Sequence, residues 1–145
     1  MMSSADDQRS GPVARAMSLD QPVITLPAKG RNVLREEVLE CLEVACSDLW
    51  IVAETDDAVA TRTLAREVGD DLLLLDEIEW ERDADHEVSV ALPKDLLRAA
   101  LSRHCHRAFL RKGKDLPQEI AARWDSERNQ LLISTLTRAL AELDQ

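Results

Sequence analysis

Five cysteine and histidine residues are the side chains of this sequence best suited to bind a metal ion: Cys41, Cys46, His104, Cys105 and His106. A zinc site needs its thiolate and imidazole ligands to converge on one ion. Cys41 and Cys46 are five residues apart on a predicted helix, which is about 140° around the axis, so one helix cannot direct both thiols at the same ion. The neighbours His104, Cys105 and His106 diverge by about 100° per residue. The pattern therefore predicts no metal ion, no cofactor and no catalytic residue.

Two interpretations of the thiols stay open. Cys41 and Cys105 occupy positions in apolar stripes, which is typical of small buried core residues. The alternative is a site assembled from Cys41, His104 and Cys105 across two helices, which would make the chain a small metal- or thiol-dependent redox protein. We prefer the non-catalytic interpretation, because the sequence contains no phosphate-binding loop and no local nucleophile motif.

Three polar residues interrupt otherwise apolar stripes: Asp71, His104 and Arg128. A buried ion is costly unless it is paired. If the stripes meet in one core, we expect Asp71 and Arg128 to neutralise each other with His104 nearby. In the other interpretation each side chain lies at the edge of its stripe and reaches water.

Basic residues recur along one side of the third predicted helix, at Arg103, Arg107, Arg111 and Lys114. They lie away from the apolar stripe of that helix. This is typical of a solvated face that is partly neutralised by other charges of the protein. A partner-binding face is the alternative.

The intervals between apolar residues predict four helices, near residues 31–53, 56–80, 94–112 and 116–143. In each segment apolar side chains recur at three and four residues, as one buried stripe requires. The stripe includes Val68, Leu72 and Leu75 in the second helix, Leu97, Leu101, His104, Cys105 and Ala108 in the third, and Leu131, Thr135, Leu136, Ala139 and Leu143 in the fourth. Thr55 is the predicted N-cap of the second helix. Pro93 fits the entry of the third helix, where a missing amide costs nothing. The turn before the fourth helix is short, so the last two helices should lie antiparallel. The sequence predicts a mainly α fold, an antiparallel four-helix bundle in a single domain of residues 31–145.

Two features lie outside the helical pattern. Residues 1–30 mix Ser, Asp, Gln, Gly and Pro without periodicity, which predicts a flexible tail or linker. Val88, Val90 and Leu92 alternate with Ser89 and Ala91 over too few residues for a helix, so residues 88–92 should be extended. We expect this stretch to pair with residues 23–26, as one short pair of extended segments.

Charge is sorted along the chain, whose net charge is −10 at pH 7. Residues 31–92 hold eighteen acids and five bases, whereas residues 93–145 hold seven acids and ten bases. Phosphate binding needs a basic footprint, so this balance disfavours duplex nucleic acid as a partner. The sequence has neither an apolar run that could span a membrane nor the apolar segment of a secretory signal. Three cysteines without an export signal are most simply reduced thiols, and we therefore expect a cytoplasmic protein.

The first helix carries an acidic row. Glu36, Glu40 and Glu43 recur at intervals of four and three, so they project from one side of the helix. Such a row suits Lys or Arg on a protein partner. The sequence therefore predicts a non-catalytic protein, such as a regulator, adaptor, immunity protein or chaperone, that binds another macromolecule through this surface.

The same helix carries an apolar strip opposite its core stripe. Val33, Val44 and Ile51 lie there, although a monomeric bundle has little reason to keep that side apolar. Trp50, next to Ile51, adds a candidate anchor for a partner. Self-association through this strip, as a homodimer, explains the pattern as well as a different protein partner does.

Overall fold

The computed structural model describes residues 21–79, 85–112 and 117–145. Within these ranges the chain forms four long helices, one short helix and a two-stranded sheet, which confirms the predicted mainly α class. In chain order the elements are β1 (Val23–Leu26), α1 (Ala28–Ala53), α2 (Ala58–Ile78), β2 (Val88–Ala91), α3 (Lys94–Arg111), α4 (Gln118–Arg123) and α5 (Ser126–Leu143).

The four long helices pack in a ring that forms the bundle. Helix α1 packs on α2, α2 on α3, α3 on α5, and α5 on α1. Leucines and isoleucines fill the centre, since Leu34, Leu74, Leu101 and Leu136 are all inaccessible to solvent. The stripe of α3 is buried at every predicted position: Leu97, Leu101, His104, Cys105 and Ala108.

The predicted pair of extended segments is confirmed. Strands β1 and β2 are antiparallel, with Val23 opposite Ala91 and Leu26 opposite Val88. The buried carboxylate of Glu77 accepts a hydrogen bond of 3.1 Å from the backbone N–H of Ala91, so helix α2 holds one end of β2. The predicted tail therefore extends too far, because residues 23–30 belong to the folded domain. Residues 1–20, the rest of that prediction, lie outside the described residues.

The fourth predicted helix is interrupted. Helix α4 ends at Arg123, and α5 begins at Ser126 after Asp125, whose side chain accepts a hydrogen bond of 2.8 Å from the Arg128 N–H. This N-cap starts a separate helix. The predicted stripe positions Thr135, Leu136, Ala139 and Leu143 are buried, but in the first turns Leu132 is fully buried and Leu131 only partly.

The second helix also differs in its start and its phase. Asp56 has a positive φ of 61°, and Asp57, not Thr55, caps the helix by accepting a hydrogen bond of 3.0 Å from the Ala60 N–H. Leu72 is 53% exposed, whereas Leu74 is buried. Four consecutive leucines at residues 72–75 are compatible with several helix phases, so the apolar pattern alone does not determine which of them faces the core.

The α1–α2 hairpin extends beyond the core. No residue from 43 to 70 is buried, although this segment includes the second half of α1 and the first half of α2. We call residues 43–70 the arm and the remaining described residues the body. None of the described helices, in the arm or the body, combines the length and apolar character needed to cross a membrane.

Candidate functional site

A network of buried charges joins three helices inside the body, with His104 of α3 at its centre. Its Nε2 atom lies 2.8 Å from Oδ1 of Asp71 on α2, and its Nδ1 atom lies 3.3 Å from Oε2 of Glu37 on α1. Carboxylates can only accept hydrogen bonds, so both ring nitrogens must donate, and only the imidazolium form does this. Asp71 and His104, two members of the predicted polar cluster, are thus in contact.

Glu37 is the residue with the most partners in this network. Its Oε2 atom accepts hydrogen bonds from the Cys41 thiol at 3.1 Å and from Arg107 Nε at 3.3 Å. Its Oε1 atom accepts one from Arg111 Nη2 at 2.7 Å. The carboxylate, which is 1% exposed, is therefore surrounded by donors, as a buried charge requires.

The basic side of α3 serves this network. Arg103, Arg107 and Arg111 are spaced by four residues, so they follow one side of the helix. Arg103 donates to Asp71 at 2.8 Å, while the other two bind Glu37. Arg111 also lies over the Trp124 ring, 4.4 Å from its centre. These arginines neutralise acids of the protein itself; Lys114, the fourth predicted basic residue, lies outside the described residues.

The network shifts three pKa values. Burial acts to lower the pKa of His104, but hydrogen bonds to Asp71, Cys41 and Glu37 and the charge of Asp71 raise it to about 11. Burial acts to raise the pKa of Glu37, yet the hydrogen bond from His104, the charge of Arg111 and the Cys41 thiol lower it to about 2. Burial raises the pKa of the Cys41 thiol. At neutral pH the network holds an imidazolium, a carboxylate and a protonated thiol.

These protonation states argue against acid–base or thiol chemistry. A histidine that donates from both nitrogens has no free lone pair with which to act as a general base. A thiol whose pKa is raised by burial is a poor nucleophile, because the thiolate is the reactive form. Cys105, the third residue of the predicted redox site, is buried but is not part of the group formed by Glu37, Cys41 and His104.

The predicted pairing of Arg128 with Asp71 is wrong. Arg128 forms an ion pair with Glu36 and lies 5.2 Å from the centre of the Trp124 ring. Helix α5 packs on α1 and α3 rather than on α2, so the stripes that carry Asp71 and Arg128 do not face each other. Asp71 forms ion pairs with Arg103 and His104 instead.

The acidic row is partly used inside the protein. Glu36 pairs with Arg128, and Glu40 accepts a hydrogen bond of 2.5 Å from the Trp124 indole N–H. Together with Glu43 they line a cleft of about 290 Å³ beside the Trp124 ring. Glu36 and Glu43 are exposed, and Glu43 begins the arm.

The predicted apolar strip is exposed only within the arm. Val33 is buried in the core, so its assignment to an outer strip is wrong. Val44, Trp50 and Ile51 are 51%, 75% and 61% exposed. Val59 of α2, which is 66% exposed, adds to the apolar surface near the end of the hairpin.

Sequence reasoning missed Glu37 as the second carboxylate of the network. The available signal was its position, because Glu37 lies between Leu34 and Val38, two buried members of the apolar stripe. A polar residue within a stripe had already pointed to Asp71 and His104. The same criterion applied to α1 identifies Glu37.

Comparison with known proteins adds no relative. No protein-family model, no curated protein and no solved structure has significant similarity to this chain. Its function therefore has to be inferred from its own charges, contacts and exposed surfaces.

Proposed function

We propose that this is a non-catalytic cytoplasmic protein that binds a protein partner through its arm, as a regulator or adaptor does. The observation that carries the proposal is the arm itself. Residues 43–70 include no buried residue, yet they present Trp50, Ile51 and Val59 to solvent at 75%, 61% and 66% exposure. These three side chains make little contribution to the core, so their apolar surface is available to a partner.

The apolar residues of the arm are arranged as anchors for a partner. Val44 and Ile51 are seven residues apart, so they lie on one side of α1 two turns from each other. Trp50 adjoins Ile51, and Val59 lies just beyond the turn that joins the helices. Binding energy at protein interfaces is concentrated in a few such residues, with Trp prominent among them.

The charge of the arm favours a basic partner. Residues 43–70 hold seven acids and two bases, which is a net charge of −5. A symmetric dimer through this surface would place two such arms against each other, and like charges across an interface are costly. Charge thus favours a different protein that offers Lys or Arg around an apolar pocket over a second copy of this chain.

The proposal moves the centre of the binding surface outward from the predicted acidic row. Glu36 and Glu40 have partners within the body. Glu43 keeps its predicted role at the base of the arm, and Asp48, five residues further along α1, adds to the negative charge; both are exposed. Their charge would chiefly accelerate encounter with the partner, while the apolar anchors would slow dissociation.

A matched pair of variants tests this proposal. Val44→Asp with Ile51→Asp alters the arm, while Phe109→Asp with Leu110→Asp alters residues at the end of α3 that are 50% and 48% exposed. Proteins captured by the wild type and by the α3 variant, but not by the arm variant, are candidate partners. With such a protein purified, the association rate with the wild type should fall as salt is raised.

Two outcomes would contradict the proposal. Equal capture of the same proteins by all three forms would show that the arm is not the binding surface. Sedimentation of the purified wild type as a dimer, with a monomeric arm variant, would assign the arm to self-association instead.

A further inference from the structure

We propose that Glu37, Cys41 and His104 form a binding site for Zn²⁺ or a chemically similar divalent ion, with Asp71 orienting the histidine. The three ligands lie in the body, at the base of the arm, and an ion bound to them would link α1 to α3. The site goes beyond the proposed partner binding, which does not depend on it.

The donor atoms are within a few tenths of an ångström of the separations that a tetrahedral ion requires. Cys41 Sγ and Glu37 Oε2 are 3.1 Å apart, His104 Nδ1 and Glu37 Oε2 are 3.3 Å apart, and Cys41 Sγ and His104 Nδ1 are 3.6 Å apart. Bonds of about 2.3 Å to sulfur and about 2.0 Å to nitrogen or oxygen place tetrahedral ligands about 3.3 to 3.5 Å apart. An ion could therefore bind with little movement of the three side chains.

The elements that carry the ligands suit a fixed site. Glu37 and Cys41 are four residues apart, so they project from the same side of α1. His104 comes from α3 and presents Nδ1, while its Nε2 donates to Asp71 at 2.8 Å. A carboxylate on the second ring nitrogen is the arrangement that fixes histidine ligands at metal sites.

A path to the site is open on one side. A cleft of about 160 Å³ runs between the helices, and Cys41, Asp71, Arg103 and Arg107 form part of its wall. An ion could enter there, and water in the cleft could supply the fourth ligand, because zinc sites with three protein ligands complete their coordination with water.

The arginines around Glu37 are the main obstacle to a cation. Arg111 binds Oε1, the oxygen that does not face the other ligands, so it can remain. Arg107 Nε lies 3.3 Å from Oε2 and competes directly for it, but the Arg107 side chain is 44% exposed and can turn into solvent.

Charge balance allows the exchange. Metal ligands must be deprotonated, so binding releases one proton from the Cys41 thiol and one from the His104 imidazolium. A divalent ion replaces those two protons, and the total charge of the network is unchanged. The net charge next to the arginines is therefore the same with the ion as without it.

Cobalt is the probe for the first test. Chelator-treated protein titrated with Co²⁺ should show one equivalent of bound ion and a thiolate-to-cobalt absorption band. Cys41→Ser should lose that band, whereas Cys46→Ser, which alters an exposed thiol on the same helix, should keep it. A band lost in Cys46→Ser and kept in Cys41→Ser would overturn the proposal, as would the absence of any thiolate band in the wild type.

Affinity for Zn²⁺, measured by calorimetry, provides a test that does not depend on the folding of a core variant. Arg107→Ala removes the side chain that competes with the ion for Glu37. Zn²⁺ should then bind about tenfold more tightly, because it no longer has to displace a charge-assisted hydrogen bond. Arg98→Ala is the matched control, because it removes a positive charge of the same helix that pairs with Asp144, remote from the site. Equal affinity of the two variants, or weaker binding by Arg107→Ala, would contradict the site.

Asp71→Asn completes the series. Loss of the carboxylate that orients a histidine ligand usually costs 10- to 100-fold in metal affinity, and we expect a decrease of about that size. Unchanged affinity in Asp71→Asn would show that the ion does not bind through His104.

Discussion

The body buries charged side chains, whereas the arm contains no buried residue. In the body, Glu37, Asp71 and His104 are charged and buried, and each has partners on another helix. In the arm, Trp50 and Ile51 are apolar and exposed. Both regions belong to the same two helices, α1 and α2, so the difference comes from what packs against them. Helices α3 and α5 cover the body half of the hairpin, and no residue of the other half is buried.

This difference separates residues that maintain the fold from residues available for function. The buried network links α1, α2 and α3 through charges whose partners are specific, so a wrong helix register would leave a buried ion unpaired. The exposed apolar residues of the arm do not restrict the fold in this way. The two regions should therefore respond to mutation with very different changes in stability.

The largest effect is expected from His104→Ala in chelator-treated protein. The change leaves the carboxylates of Glu37 and Asp71 buried without their common donor, and breaking a buried charge pair costs about 3–5 kcal/mol. His106→Ala is the control, since His106 is exposed two residues further along α3. Urea unfolding measures both. A loss of similar size in the two variants would show that the network does not hold the body together.

The pH dependence of stability should reflect the same network in chelator-treated protein. The pKa of Glu37 falls from 4.5 to about 2 on folding, so its contribution is complete above pH 4.5 and is lost as pH falls toward 2; it amounts to about 3 kcal/mol. The pKa of His104 rises from 6.5 to about 11, so its contribution is complete below pH 6.5 and is lost as pH rises toward 11. We therefore expect the free energy of unfolding to be largest between about pH 4.5 and pH 6.5, where both contributions are complete.

Glu37→Gln distinguishes this network from the other carboxylates of the protein. The variant should be less stable than the wild type at pH 6, and its stability should depend less on pH in the acid range. Urea unfolding at several pH values measures, for each protein, the free energy of unfolding and the slope of its dependence on pH. Identical acid slopes would mean that Glu37 has an ordinary pKa in the folded state.

The sequence predicts best where a helix has one regular stripe and clear ends. Every predicted core position of α3 is buried, and that helix follows Pro93 at its start. The sequence predicts least where the apolar pattern is compatible with more than one helix phase. The four leucines at residues 72–75 hide the orientation of α2, and the pattern does not show that α5 packs on α1 and α3, where Arg128 pairs with Glu36 rather than Asp71.

The buried network could be predicted only in part for a related reason. A polar residue within a stripe signals that a buried partner exists, as Asp71 and His104 show. It does not say which residue on another helix is that partner, because the pairing depends on packing between helices. The pattern predicts that the basic side of α3 is partly neutralised within the protein, but it does not identify Asp71 and Glu37 as the partners of Arg103 and Arg107.

An intermediate effect is expected where α1 crosses α5. Gly30 lies against Thr135, and a Cβ atom at residue 30 would overlap the Thr135 side chain. Gly30→Ala should therefore destabilise the protein by about 1–3 kcal/mol, the usual cost of overpacking. Gly69→Ala is the control, because a Cβ there meets no atom within 4 Å. It should stabilise by up to about 1 kcal/mol through helix propensity.

Changes in stability of opposite sign for Gly30→Ala and Gly69→Ala would show that the crossing of α1 and α5 is crowded and that the arm is open. Thr135→Ser in the Gly30→Ala background removes the Thr135 methyl group and should recover part of the lost stability. Thermal unfolding of the three variants measures these changes. Equal destabilisation by Gly30→Ala and Gly69→Ala would place both glycines in similar surroundings, contrary to the distinction between body and arm.

The smallest effect on stability is expected in the arm. Trp50→Ala should change the free energy of unfolding by no more than about 0.5 kcal/mol, because surface substitutions rarely do more. Leu34→Ala, on the same helix but with its side chain fully buried in the body, should cost about 2–5 kcal/mol. Amide hydrogen exchange should agree, with faster exchange in residues 43–70 than in the body half of α1, because few buried contacts protect the arm from local opening. A loss of 2 kcal/mol or more in Trp50→Ala would mean that the tryptophan packs within the folded protein, and its exposed surface would then no longer support partner binding.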